Sequence, residues 1–253
     1  MNWRGWYTLL YKELLRFYKV ALQTIGAPII TALLYLLVFS HVLASNVQAL
    51  PGVTYGHFLI PGLMMMSLIQ NAFANSSSSI IQSKVTGNLI FILMTPLSSA
   101  EFLLAFVVAS IVRGFLVAAG IYVMALFFMK LPLVHPLVAL LFAVLAGGAL
   151  GSLGVIAGIW ADKFDQMAGF QNFIIMPLSF LSGVFYSIHS LPPVWAKVSH
   201  FNPFFYMIDG FRYGFFGVSD VAPWTSLVAA LLFLALTTAV ALGMVVRGYK
   251  LRS

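Results

Sequence analysis

Few side chains on this chain are equipped for chemistry. Its 253 residues include six carboxylates, five histidines and no cysteine, so thiol catalysis, disulfides and cysteine-based zinc sites are excluded. His41, His57, His135, His189 and His200 show no pair at metal-ligand spacing and read as interfacial histidines. No Ser-His-Asp set or carboxylate pair suggests a hydrolase. A Gly-x-x-x-x-Gly-Lys-Ser/Thr loop is missing, which removes that route to nucleotide binding. Leu181-Ser182-Gly183 matches part of an ATPase signature by chance, inside an apolar run. Arg113 is the one charge placed deep in such a run, about twelve residues from Glu101. Charges at that depth usually face a bundle interior or an aqueous path, so Arg113 is a candidate for function. Two plainer readings stand beside it: snorkelling from a displaced span, or pairing with a neighbouring helix.

The elements that must position these groups are membrane helices. The chain is 62% hydrophobic and 8% charged, against roughly 25% charged in a soluble domain. A net charge of +7 is spread thinly among apolar blocks, without the basic face and interleaved aromatics of a nucleic-acid binder. About 20 apolar residues cross a bilayer, and runs of that kind predict six spans, near 23–43, 57–79, 101–128, 136–160, 167–187 and 223–246. Ser45-Asn46-Val47-Gln48 and Pro51-Gly52 supply the turn between the first two. No removable signal peptide is expected. With the N-terminus inside, Arg4, Lys12, Arg16, Lys19, Lys84, Lys163, Arg247, Lys250 and Arg252 are cytoplasmic, and only Lys130, Lys197 and Arg212 are external. The positive-inside rule therefore puts both termini in the cytoplasm.

Three further segments are not simple spans. In Trp3 to Lys19, Trp6, Leu10, Leu14 and Phe17 recur at helical spacing, with Lys12, Arg16 and Lys19 on another face. This predicts an interfacial helix, either a basic anchor for the first span or a docking element for a partner. The stretch 82–97 is too long and apolar for a minimal turn. A short helix ended by Thr95-Pro96 would lie on the membrane or in a groove of a cytoplasmic partner. Beyond the fifth span, Leu191-Pro192-Pro193-Val194-Trp195, Asn202-Pro203-Phe204-Phe205-Tyr206 and Asp209-Gly210-Phe211-Arg212-Tyr213-Gly214 are aromatic but broken by Pro and Gly. They predict short external helices dipping into the outer leaflet. Gly147, Gly151, Gly154 and Gly158 form Gly-x-x-x-Gly spacings for close packing, most simply within the chain.

Phe58-Leu59-Ile60-Pro61-Gly62-Leu63-Met64-Met65-Met66, Pro96-Leu97, Leu181-Ser182-Gly183-Val184-Phe185-Tyr186-Ser187, Pro192-Pro193, Asn202-Pro203 with Tyr206, and Gly210 to Gly214 occur in that order. Together they resemble the ABC-2 type transporter permeases, in particular the YadH and nodulation lipo-oligosaccharide exporter group. The resemblance covers almost the whole chain, read as one domain, 1–253. It implies an all-α, six-span half-transporter without enzymatic activity, which dimerises around a central pathway. Two copies of a separate ABC ATP-binding subunit would carry ATP and Mg, with no cofactor on this chain. Residues 1–19 would be the connecting helix, 83–97 the coupling segment and 188–212 the re-entrant gate. ATPase docking is then expected at Lys12, Arg16, Lys84, Thr86, Gly87, Asn88, Leu89, Phe91, Pro96 and Leu97. The pathway or gate is expected at Arg113, Phe185, Tyr186, Pro192, Pro193, Trp195, Asn202, Pro203, Tyr206, Asp209 and Arg212. One departure matters: relatives often carry acids after the coupling glycine, whereas Asn88-Leu89-Ile90-Phe91 has none, which implies docking through apolar contacts, Lys84 and Asn88.

The expected function is export of an amphiphile (a lipid-linked saccharide, a lipid or a hydrophobic drug) from the inner membrane of a bacterium, with membrane lipid as a further partner. A self-contained secondary transporter or channel is the alternative. It predicts polar or acidic residues repeated at the midplane, and only Arg113 qualifies. A membrane enzyme lacks its constellation.

Overall fold

A computed structural model describes residues 2–43 and 53–251. The expected turn at 45–52 lies outside them. The described residues fold into helices joined by short connections: α1 (Trp3–Tyr18), α2 (Ala27–Leu43), α3 (Tyr55–Val85), α4 (Leu89–Leu93), α5 (Ser99–Leu126), α6 (Pro136–Trp160), α7 (Phe164–Phe170), α8 (Met176–Phe180), α9 (Pro193–His200), α10 (Pro203–Phe216) and α11 (Pro223–Arg247). Local chemistry sets the ends. Ser98 and Glu101 form a reciprocal capping box on α5. Proline opens α6 and α11, where its missing N–H costs nothing. Gly217 and Gly248 close α10 and α11 in the left-handed conformation.

Among the described residues, five helices are long and apolar enough to cross a membrane, where the sequence predicts six. The run expected at 167–187 is instead α7, a π turn at Gln171–Ile175 and α8, ending at Phe180. Pro177, two residues after that turn, lacks an N–H and its ring crowds the preceding carbonyls, a conflict that a widened turn relieves. The same register recurs at Leu22–Gly26, a π turn followed two residues later by Pro28. Past Phe180 the chain turns through Gly183, whose φ is 76°.

Helix α3 outruns its expected end at 79 by six residues. In its serine run Ser76, Ser77 and Ser79 are buried inside the bundle, with Ser77 Oγ donating back to Phe73 O at 2.8 Å. α3 is the central strut, packed on α2, α5, α6 and α10. Small residues let it approach α6: a Cβ at Gly154 would overlap Phe73 O, and one at Gly158 would lie 2.9 Å from Ile80 Cβ. Gly147 and Gly151 press on Ile111 and Ser110 of α5 in the same way, so the Gly-x-x-x-Gly pattern serves packing within the chain.

Polar contacts define two ends. Asn2 N donates to Glu101, Lys84 reaches the end of α6, and Lys250 reaches Asp162, so both chain ends lie at one end of the bundle. At the other, His57 meets Lys130 O, His135 N donates to Gly214 O, and Ser187 Oγ donates to Asp220.

Candidate functional site

The α3–α4 corner forms the tip of the terminal end. Gly87 has φ 74° and open space around it, so it is the left-handed turn, not crowding, that favours glycine there. Thr86 Oγ1 donates to Gln82 O at 2.8 Å, and Asn88 Nδ2 donates to Thr86 Oγ1 at 3.1 Å. In α4 Leu89 is buried as the anchor, while Ile90, Phe91 (68% exposed) and Met94 (77% exposed) are open to the surroundings, Ile90 and Met94 beside the end of α11. Thr95 Oγ1 donates to Ile92 O and Pro96 follows, ending the helix. Asn2 Nδ2 donates to Pro96 O, and Leu97 packs on Gly5, so α1 is tied to the corner.

Lys84 faces inward. Its ammonium donates to Ile159 O at 2.9 Å and Ala161 O at 2.7 Å, and pairs with Asp162 at 3.2 Å. Lys250 pairs with the other Asp162 oxygen at 2.6 Å and donates to Trp160 O at 3.1 Å. These two lysines hold the Asp162 carboxyl below its ordinary range, and Asp162 raises Lys250 in return. One carboxylate thus joins the ends of α3, α6 and α11.

α1 is keyed to the bundle by charge. Glu13 is fully buried and accepts from Lys12, Ser79 and Arg16 at 2.8, 2.8 and 3.4 Å. Arg16 donates to Asn75 O at 2.6 Å, Asn75 Oδ1 at 3.0 Å and Ser78 Oγ at 3.1 Å. Deeper along α3, Asn71 Oδ1 accepts from Arg113 at 3.0 Å. Asn71, Asn75 and Ser79, at i, i+4 and i+8 on one helix face, thereby receive Arg113, Arg16 and Glu13 in turn.

The opposite end is a brace around Arg212, 1% exposed. Its Nη2 donates to Gly183 O at 2.9 Å, and its guanidinium lies 3.8 Å over the Phe58 ring. A Cβ on Gly62 would stand 2.9 Å from Val184 O and 3.2 Å from Arg212. Three dispersed motifs, 58–62, 182–184 and 210–212, therefore meet at one point. Asp209 accepts from Asp220 N at 2.7 Å, Val221 N at 3.4 Å and Ser226 Oγ at 3.2 Å. Asp220 in turn accepts from Ser187 Oγ and Ile188 N. Asn202 caps α10 at Phe204 N and donates to Leu178 O, with Pro203 as the first helical residue. Pro192 and Pro193 start α9, which leaves Trp195 half exposed. Tyr186 and Tyr206 donate to Phe180 O and His200 O, and Phe185 stacks on Phe180 at 5.6 Å.

The residues expected to dock a partner thus divide. Phe91 is exposed, Thr86, Gly87, Asn88, Pro96 and Leu97 shape the corner, Leu89 is buried, and Lys12, Arg16 and Lys84 are engaged by partners within the chain. Of the residues expected at the gate, Trp195 and Tyr206 lie at the surface of the far end, Phe185, Tyr186, Pro192, Pro193, Asn202, Pro203, Asp209 and Arg212 build its brace, and Arg113 lies apart between α3 and α5. Glu13, Asn71, Asn75 and Asp162, with Lys250 as a partner of Asp162, join these residues only in the folded chain. Only the seam had a readable signal, in the polar i, i+4 spacing on α3; Asp162 and Lys250 are 88 residues apart.

A family model described as ABC-2 type transporter matches residues 4–216. The chain is 35% identical over 254 residues to the Inner membrane transport permease YadH of Escherichia coli strain K12, across 100% of this chain and 99% of that one. It is 26% identical over 212 residues to Nodulation protein J of Rhizobium meliloti, covering 83% of this chain and 81% of that protein. With Nodulation protein J of Rhizobium leguminosarum bv. trifolii it shares 26% over 209 residues, covering 82% and 80%.

Proposed function

The chain belongs to the ABC-2 type transporter family, and from that membership we propose that it is the membrane-spanning subunit of an ATP-driven exporter. Family permeases generally work with an ABC ATP-binding subunit. The chain is a multi-pass membrane protein. In this reading it crosses six times, the composite 164–180 helix being the fifth crossing, with α1 at the interface, both termini cytoplasmic, and α9–α10 re-entrant at the outer face. Two copies pair around the pathway and two ATP-binding subunits bring ATP and Mg. The cargo is an amphiphile, suited to the aromatic surfaces of the far end.

The observation that carries this reading is the α4 corner. An apolar surface of Ile90, Phe91 and Met94 is exposed at the terminal end. It has the form of a short helix laid into a partner's groove. Behind it, Lys84 and Asp162 connect the corner to α6 and α11, a route by which closure of the ATPase pair would move the spans.

The experiment is co-expression with an ABC ATP-binding subunit and purification in nanodiscs. Wild type should co-purify that subunit and set its ATPase rate. Phe91→Asp should weaken the association at least about tenfold, because it places a charge in an apolar contact. Gly87→Pro should retain membrane insertion and uncouple the rate. A well-folded wild type that binds no ATP-binding subunit would overturn the reading in favour of a self-contained transporter or channel.

A further inference from the structure

At the terminal end, between α6, the α7 segment and α11, lies an apolar groove of about 820 Å³, within the range of roughly 300–1,000 Å³ typical of ligand sites. Ile156 and Trp160 line one wall, Phe170 and Ile174 another, and α11 the third. Gly243 of α11 keeps it open: an added Cβ there meets no atom within 4 Å. It is unlike Gly151 and Gly154, which are small because a neighbouring helix presses on them.

The mouth of the groove is built. Gly248 turns the chain back in the left-handed conformation, Tyr249 N donates to Met244 O at 3.1 Å, and Lys250 ties the turn to Trp160 O and Asp162. Trp160 and Tyr249, each about half exposed, consequently flank the opening. Trp and Tyr favour the headgroup layer. Arg247, the last residue of α11, lines the same mouth, and its side chain has no hydrogen bond or ion pair among the described residues. Among the described residues the acids of this end are committed or set apart: Asp162 is held by Lys84 and Lys250, Glu13 by Lys12 and Arg16, Glu101 by Asn2 and Ser98, and Asp165 does not line the groove.

We propose that this groove binds one anionic phospholipid of the leaflet at the terminal end, with an acyl chain over Gly243 and the phosphate on Arg247. A groove between membrane helices opens to hydrocarbon, which acyl chains fill and water does not. Gly243 and Arg247 are one turn apart, about 6 Å along the axis, which sets an acyl contact directly beneath a cation. A guanidinium matches a phosphate in shape and charge, and basic pockets between spans on the cytoplasmic side recognise anionic headgroups. The inference rests on the chain being a membrane protein and not on the exporter reading.

Native mass spectrometry of the full chain in mild detergent, exposed to equal phosphatidylglycerol and phosphatidylcholine, tests it. Wild type should retain one phosphatidylglycerol per chain in preference to phosphatidylcholine. Arg247→Gln should lower that preference about tenfold, the worth of a charge-assisted contact, and Arg247→Lys should restore part of it. Gly243→Leu should fill the groove and lose both lipids, while its thermal unfolding in the same detergent stays at the wild-type midpoint. Retention of neither lipid, retention of both equally, or wild-type retention by Arg247→Gln and Gly243→Leu would each overturn the proposal. So would disulfide crosslinking of two copies through Gly243→Cys, which would show that a second chain covers the groove.

Discussion

Two arginines lie in the dry interior of this bundle, and their surroundings differ in sign. Arg212 stands over an aromatic face, bonds the Gly183 carbonyl, and feels the opposite charges of Asp209 and Asp220. Among the described residues Arg113 has one neutral amide partner, Asn71, and the charge it feels is the like charge of Arg16. Each leaves its Nε without a partner. A buried charge is tolerable when its surroundings compensate it. By that criterion Arg212 is compensated by its surroundings, whereas Arg113, among the described residues, is not.

The largest effect should come from the brace. Arg212→Ala removes the guanidinium from Phe58 and Gly183 and strips compensation from Asp209, a loss of about 3–5 kcal/mol for breaking a buried charged cluster. The expected outcome is failure to accumulate in the membrane, or a sharply lowered unfolding midpoint in detergent. Arg113→Gln should act in the opposite sense. Glutamine is shorter and gives up the reach to Asn71, but it removes the unpaired buried charge, so stability should hold or rise by about 1 kcal/mol. Transport-linked ATPase activity should nevertheless fall. If Arg113→Gln destabilises as severely as Arg212→Ala, the distinction between the two arginines collapses. Unchanged stability together with unchanged activity would make Arg113 a passive occupant of the seam.

The same contrast shows what was legible in the sequence. Long apolar runs and proline or glycine punctuation carry the helices, and α6 begins and ends where its run does, at 136 and 160. The α4 corner was legible because an apolar stretch between charged flanks has to be buried somewhere. The fifth run stops short of its expected end: hydropathy registers Leu181 to Tyr186 as apolar and is blind to a carbonyl reserved for a side chain 29 residues on, as Gly183 O is for Arg212. Glu13 escaped for a related reason. A carboxylate among basic residues reads as part of a solvated face, yet α1 turns it inward to Ser79. In both cases a polar partner supplied by tertiary contact overrode the local pattern.

The clamp of Lys84, Asp162 and Lys250 is a third arrangement, with charges fully paired but open to water, and it should be the weakest of the three. Asp162 titrates below its ordinary value of 3.8, so its contribution is present above that pH and is lost as the pH falls through the depressed value. Lys250 titrates above its ordinary 10.5, so its contribution is present below that pH and is lost as the pH rises through the raised value. Between about 4 and about 10.5 both groups are charged and the clamp contributes a constant amount. Solvent screening keeps that amount small. The gap in unfolding midpoint between wild type and Asp162→Asn should therefore be slight and level from pH 5 to pH 9, and should close below pH 4. A gap that changes near neutrality would assign the dependence to a histidine or another group. A gap as large as that of Arg212→Ala would mean that the clamp, exposed though it is, holds the bundle as firmly as the buried brace does.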